Sequence, residues 1–179
     1  MSRDNLLRFT LIFASSFLIA CGANRPLVSV YVENAKGDVE LVYEGVQSLE
    51  NLVKEIRYFP SKDTLSITPM KKGAVSGIVQ TFYSNNIPKE ETSFVKGVQE
   101  GVFRRYDFEG ILIFEGQMVR GSKEGVWTTW YDEVQMEEQR SYVNNQLHGN
   151  WTYWYADGNV RRTETYQLGK LIDQKDYDQ

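Results

Sequence analysis

Two columns of turn-forming residues, repeated every 24 residues, constrain the fold of this chain more than any other feature. One column falls at Gly77, Gly101, Gly125 and Gly149. The other lies four residues earlier and continues for one more copy, at Gly73, Gly97, Gly121, Asn145 and Gly169. Asparagine is the residue that best replaces glycine where φ must be positive. The period therefore indicates copies of one small supersecondary unit, with the second column at left-handed turns.

Large aromatic side chains keep the same period. Five residues after each glycine of the first column stand Phe82, Tyr106, Trp130 and Trp154. Two residues after the same glycines stand Val79, Phe103, Trp127 and Trp151. Alternation along a strand places these two columns on opposite faces. Bulky residues fixed relative to turns are typical of units that bury their side chains against neighbouring copies.

A unit of 24 residues accommodates two strands of about six residues and two turns, whereas a pair of helices takes more than about 30 residues. The segments 149–155 and 160–166 are rich in threonine and aromatic residues, and Asp157-Gly158 between them is a strong hairpin signal. We therefore predict an all-β fold, an elongated single-layer antiparallel sheet of stacked β-hairpins.

The repeat also predicts how the chain is divided. Five units are expected, at residues 53–76, 77–100, 101–124, 125–148 and 149–172. Residues 27–52 are predicted to be a divergent N-terminal unit or cap, because the spacing from Tyr43 to Tyr58 is three residues longer than in later units. The acidic tail, residues 173–179, is expected to fray.

The N-terminus is predicted to be a signal peptide, residues 1–20. Arg3 and Arg8 precede a run of twelve uncharged residues, which is short for a membrane-spanning helix. The segment Leu18-Ile19-Ala20-Cys21 resembles a bacterial lipobox, which implies that Cys21 is lipidated and becomes the first residue of the mature protein. Residues 21–26 would then be a lipidated tether in the cell envelope, and Gly22, which is not aspartate, implies sorting to the outer membrane.

Composition excludes several classes of function. The formal net charge of -4 argues against a nucleic-acid partner, whose phosphates require clustered lysine and arginine. The chain has one cysteine, Cys21, and one histidine, His148, too few for an intrachain disulfide or a Cys/His zinc cage. It contains no nucleophile elbow, phosphate loop or dinucleotide fingerprint. We expect no enzymatic activity, no cofactor and no metal site.

The repeat motifs also resemble a known family. Gly125-Val-Trp127-Thr-Thr-Trp130-Tyr131 and Leu147-His148-Gly149-Asn150-Trp151 are similar to MORN repeats, specifically the bacterial variant repeats often described as antitoxins of toxin/antitoxin systems. The resemblance covers about residues 53–172. It implies elongated sheets of hairpins that are used for protein contacts or, in eukaryotic members, for lipid.

The candidate binding surface consists of the four tryptophans with two following tyrosines, Trp127, Trp130, Trp151, Trp154, Tyr131 and Tyr155. These residues could bind a ligand or only pack against each other. Our first hypothesis is a non-enzymatic, membrane-anchored lipoprotein whose repeat sheet is a protein-interaction or scaffold module in the bacterial envelope. One alternative is a cell-wall glycan-binding module, because aromatic hairpins can stack on sugars. Another is an antitoxin-like protein, which would require Cys21 to stay unlipidated.

Overall fold

The computed structural model describes residues 9–10, 25, 27–32, 37–45 and 47–178. Cys21, the rest of the tether apart from Arg25, and most of the predicted signal peptide lie outside these residues. The described residues form fifteen strands and one turn of 3₁₀ helix, Leu49–Asn51. The strands are β1 (Phe9–Thr10), β2 (Leu27–Val32), β3 (Val39–Glu44), β4 (Leu52–Tyr58), β5 (Thr64–Lys71), β6 (Ala74–Val75), β7 (Gly77–Phe82), β8 (Pro88–Val95), β9 (Val98–Tyr106), β10 (Leu112–Val119), β11 (Ser122–Trp130), β12 (Met136–Val143), β13 (Gln146–Trp154), β14 (Val160–Gln167) and β15 (Lys170–Asp176).

The strands form one antiparallel sheet in chain order. Each strand pairs with its neighbour in sequence from β1 to β15, except that β7 follows β5 directly and β6 pairs only with β5. The terminal strands β1 and β15 do not pair with each other, so the sheet stays open. The prediction of an all-β, single-layer antiparallel sheet of hairpins is confirmed.

Tight turns join the second strand of each unit to the first strand of the next. Their two central residues both have positive φ, the pattern of a type I′ turn: Lys72-Gly73, Lys96-Gly97, Arg120-Gly121, Asn144-Asn145 and Leu168-Gly169. Each of the last four turns also donates a hydrogen bond to the preceding unit. Gly97 N donates to Val75 O at 2.8 Å, for example, and Gly169 N to Leu147 O at 2.7 Å. The turns therefore connect neighbouring units along one edge of the array.

The first glycine column lies at breaks in the strand pairing. In β9, the pairs Thr92–Phe103 and Phe94–Gln99 leave extra residues around Gly101, which has a φ of 106°. The same irregularity surrounds Gly149 in β13, where φ is 86°. Such β-bulges bend the strand and strengthen its twist. Gly77 and Gly125 also have positive φ, so all four glycines share this backbone conformation.

The pairing register sorts side chains onto two faces, because directly paired residues lie on the same face. We call the two faces front and back, and we identify each by its middle row, the residues near the middle of successive strands. The front face carries Val79, Thr92, Phe103, Gly116, Trp127, Arg140, Trp151 and Glu164. The back face carries Gln80, Glu91, Arg104, Glu115, Thr128, Gln139, Thr152 and Thr163. The middle row is therefore aromatic at alternate strands from β9 to β13 on the front and polar throughout on the back.

Burial in this sheet comes from neighbouring strands rather than from a second layer. Among the described apolar residues only Val42, Leu52, Ile56, Met118 and Trp127 are buried. Trp127 is the least accessible of them, with 2% of its surface exposed. The most deeply packed part of the array is therefore on the front face at β11.

Candidate functional site

The six aromatic residues of the candidate surface do not share one face. Trp127 and Trp151 lie in the middle row of the front face. Trp130 and Trp154 follow front-face residues by one position, and so lie on the back face. Tyr131 and Tyr155 begin the longer turns, where their N–H groups donate to Gln135 O and Asn159 O. Each face thus has its own pair of tryptophans.

A cluster of aromatic rings occupies the front face around Trp127. Its centroid lies 5.7 Å from that of Phe103, 5.2 Å from that of Phe114 and 6.3 Å from that of Tyr142. Phe103 and Phe114 also meet edge to face at 5.9 Å. Rings at these separations attract one another in addition to burying apolar area. Sequence reasoning missed Phe114, because Glu90, Glu138 and Arg162 occupy its column in other units.

Gly116 explains how Trp127 becomes buried in a single layer. A Cβ atom at this position would lie 2.0 Å from Cδ2 of the Trp127 indole. The ring therefore lies directly over the backbone of β10. In the other units this column holds Thr92, Arg140 and Glu164, whose side chains would occupy that space. In the sequence, Gly116 stands outside the two 24-residue columns of turn residues. This position was the signal that could have revealed the close approach.

A groove of about 230 Å³ runs beside the cluster. Phe103, Phe114, Met118 and Trp127 line it, together with the polar side chains Gln99, Arg105 and Lys123. A second groove, of about 430 Å³, lies near the longer turns of the first units and is lined by Phe59, Leu65, Tyr83 and Lys89 among others. Of these two grooves, the one beside Trp127 combines the aromatic cluster with two cations, Arg105 and Lys123.

Three cations lie over the middle-row rings of the front face. Arg105 Cζ is 5.6 Å from the Phe103 centroid, and Arg140 Cζ is 4.4 Å from that of Trp151. Arg105 forms an ion pair with Glu90 at 3.3 Å, and Arg140 with Glu138. Lys123 Nζ is 4.5 Å from the Trp127 centroid, and within the described ranges it forms no ion pair. Lys123 is therefore the cation of this cluster whose charge is not neutralised by a carboxylate.

The two front-face tryptophans differ in the hydrogen bonding of their indole N–H groups. Trp151 stacks on Tyr153 at 4.9 Å and donates from Nε1 to Glu138 Oε2 at 3.2 Å. Burial, followed by the nearby Glu164 carboxylate, raises the pKa of Tyr153 to about 12. By contrast, Trp127 Nε1 is buried without a hydrogen-bond acceptor in the part of the chain that the structure describes. Arg140 Nε, beside the Trp151 ring, also lacks an acceptor there.

The back face is paired within itself. Gln80 Nε2 donates to Glu91 Oε1 at 2.9 Å, and Tyr106 OH donates to Glu91 Oε2 at 3.1 Å. Arg104 Nε donates to Glu115 Oε2 at 2.5 Å. Burial and the hydrogen bond to Glu91 raise the pKa of Tyr106, and the hydrogen bond to Glu115 raises the pKa of Arg104. These cross-strand pairs engage the charged groups in the back-face row of β8 to β10 with one another.

His148 lies exposed near a tight turn, where Leu168 N is 3.4 Å from its Nδ1. Across the described ranges, no group of three or more histidine, cysteine, aspartate or glutamate side chains is arranged to hold a metal ion. Those ranges also contain no helix that is both long and apolar enough to cross a membrane.

A family model described as a MORN repeat variant matches residues 147–168. This segment contains most of β13, the Asp157-Gly158 turn and all of β14. MORN repeats are generally non-catalytic modules that bind proteins or membrane lipids. No curated protein matches the chain. A MORN repeat variant is therefore found in the last full hairpin of this sheet, and the units before it have the same register and turns.

Proposed function

We propose that this chain is a non-enzymatic, membrane-anchored lipoprotein whose front face binds a protein partner in the bacterial envelope. The observation that carries the proposal is the aromatic cluster around Trp127, with its groove, on a face that no other described element covers. Aromatic residues and arginine are enriched at the centres of protein interfaces. The front face presents both, whereas the polar row of the back face is occupied with its own cross-strand pairs.

The anchoring part of the proposal rests on the sequence around Cys21. Two or more acyl chains give stable membrane attachment, and a triacylated N-terminal cysteine meets that condition. Only residues 22–26 separate Cys21 from β2, which would be the first strand once the signal peptide and β1 within it are removed, so this end of the sheet would stay near the lipid surface. A repeat array held in this way would extend outward as a scaffold for its partner.

The same geometry favours a polypeptide over a glycan as the ligand. A sugar ring binds by stacking on an accessible aromatic face. Trp127 is 2% exposed and lies against the backbone of Gly116, so it offers no such face. It instead supports a groove that can receive a side chain from a partner.

Photo-crosslinking in intact cells tests the interaction. A benzophenone amino acid replaces Gln99, which lines the front-face groove, or Gln117, an exposed back-face residue of the same type. We expect a discrete protein adduct from position 99 in the membrane fraction and none from position 117. Equal adducts from both positions, or none from either, would contradict a front-face interface.

Metabolic labelling with a palmitate analogue tests the anchor. We expect wild type to be labelled and to sediment with membranes, and Cys21→Ser to lose both properties. An unlabelled wild-type protein in the cytoplasm would refute anchoring and leave the antitoxin-like alternative.

A further inference from the structure

We infer that the front-face groove beside Trp127 binds a segment of the partner in which a carboxylate side chain neighbours an aliphatic one. The inference rests on the proposed function, because it states the chemistry that the front face recognises. The residues on which the inference rests are Lys123, Phe114 and Trp127, whose rings lie under its ammonium group, and Met118, which adds apolar lining.

The first argument is the local charge balance. The cations near the groove are Arg105, Lys123 and Arg140, and the front-face carboxylates beside them are Glu90 and Glu138. Each carboxylate pairs with an arginine, so one positive charge is left at Lys123. This excess arises in a chain whose formal net charge is -4. The groove therefore complements a negatively charged group.

The second argument is the position of that charge. Lys123 Nζ lies 4.5 Å from the Trp127 centroid, 5.2 Å from that of Tyr142 and 5.7 Å from that of Phe114. Lys123 is half-buried as a residue, and rings around its ammonium group displace part of its water, which strengthens its attraction for an anion. Aromatic rings cannot satisfy the three donors of an ammonium group as carboxylate oxygens can.

The size of the groove indicates what accompanies the carboxylate. Its volume of about 230 Å³ is below the about 300–1,000 Å³ that is usual for small-molecule sites. It suits one or two side chains of a polypeptide that lies across the strands. Phe103, Phe114 and Met118 supply an apolar lining, and a flexible methionine adapts to the shape of an aliphatic side chain.

Fluorescence polarisation with the full chain tests the inference. The probe is a fluorescein-labelled peptide of alternating glutamate and leucine, and the comparison peptide has glutamine in place of glutamate. We expect Lys123→Gln, and the glutamine peptide with wild type, to weaken binding by at least about tenfold, as expected for the loss of a charge-assisted contact.

Lys175→Gln is the matched control, because Lys175 Nζ also lies over a ring, 4.6 Å from the Tyr177 centroid, but on the C-terminal strand. It should bind the acidic peptide as wild type does, and Lys123→Arg should retain most of the affinity. A far-UV circular dichroism melt of each variant establishes that the sheet is folded.

Three results would overturn the inference: no binding of the acidic peptide by wild type, equal binding by Lys123→Gln, or equal binding of the glutamine peptide. Lys123-dependent binding to phosphatidylglycerol vesicles without peptide binding would likewise overturn it, in favour of a lipid phosphate. The crosslinking experiment separates this inference from the proposed function. If the adduct at position 99 persists in Lys123→Gln, the proposed protein interface is supported, and the inference that Lys123 binds a carboxylate is overturned.

Discussion

Gly116→Ala is predicted to destabilise the sheet through a single contact. Its added Cβ would lie 2.0, 2.4 and 2.5 Å from three atoms of the Trp127 indole, where an ordinary contact is 3.4–4 Å. The φ of Gly116 is not positive, so the backbone itself accepts alanine. Either the indole or strand β10 must therefore move by more than an ångström.

Two limiting responses give the expected magnitude. If the indole leaves its site, the sheet loses about 150–250 Å² of burial, worth about 4–6 kcal/mol at about 25 cal/mol per Å². If the strands shift instead, overpacking costs about 1–3 kcal/mol. Alanine also restricts the unfolded chain, which offsets about 0.4–1 kcal/mol of the loss. The less costly response sets the loss, so we expect a net decrease of about 1–2.5 kcal/mol in the free energy of unfolding.

Urea denaturation followed by far-UV circular dichroism measures this loss. The decisive comparison is a double-mutant cycle with Trp127→Leu, which removes the ring that the new Cβ would meet. We expect Gly116→Ala to cost less than about 0.5 kcal/mol in that background. Gly121→Ala is a comparison variant with backbone strain and no clash, because its φ is 79° and no atom lies within 4 Å of its added Cβ. Its cost should be the same in the wild-type and Trp127→Leu backgrounds. An equal cost of Gly116→Ala in both backgrounds would refute the reasoning.

Three further changes test the turns and the ionisable groups. Leu168→Asn should raise the free energy of unfolding by about 0.5–1 kcal/mol in urea denaturation, because asparagine tolerates the φ of 48° better than leucine. Gly125→Val should lower it by at least about 1 kcal/mol through strain at a φ of 68°, and an unchanged melting curve would contradict this. Tyr153 has a folded pKa of about 12 against an ordinary 10.0, so its contribution to stability is complete below pH 10.0 and is lost as the pH rises towards 12. Tyr153→Phe should reduce this alkaline loss in urea midpoints measured against pH, and an unchanged profile would argue against it.

The strand arrangement could be predicted from the sequence because its signals are local. A type I′ turn needs positive φ at neighbouring residues, and glycine or asparagine at position 97 or 145 supplies it within the turn itself. The turn column, the strand lengths and the alternation of faces all follow from one period. The period also indicated that Trp127 and Trp130 point to opposite faces, which agrees with the pairing register.

The candidate site was less predictable because it depends on departures from the period. Trp127 and Trp151 occupy the same column, yet Trp127 lies beside Gly116 and is buried, whereas Trp151 lies between Arg140 and Glu164 and is half-buried. Phe114 fills a position that is charged in the second, fourth and fifth units. Such differences arise between strands of neighbouring units, so no single repeat reveals them.

The hydrogen bonds between successive tight turns have a consequence for how such a protein can change in length. Gly121 N binds Gln99 O at 2.9 Å, and Asn145 N binds Lys123 O at 3.0 Å. Both hydrogen bonds join main-chain atoms, and each links residues that are the same number of positions apart in the sequence. Excision or duplication of a whole unit, which carries its own turn residues, therefore regenerates a matched junction. The array can change in length by whole units while each new neighbour still completes the turn beside it.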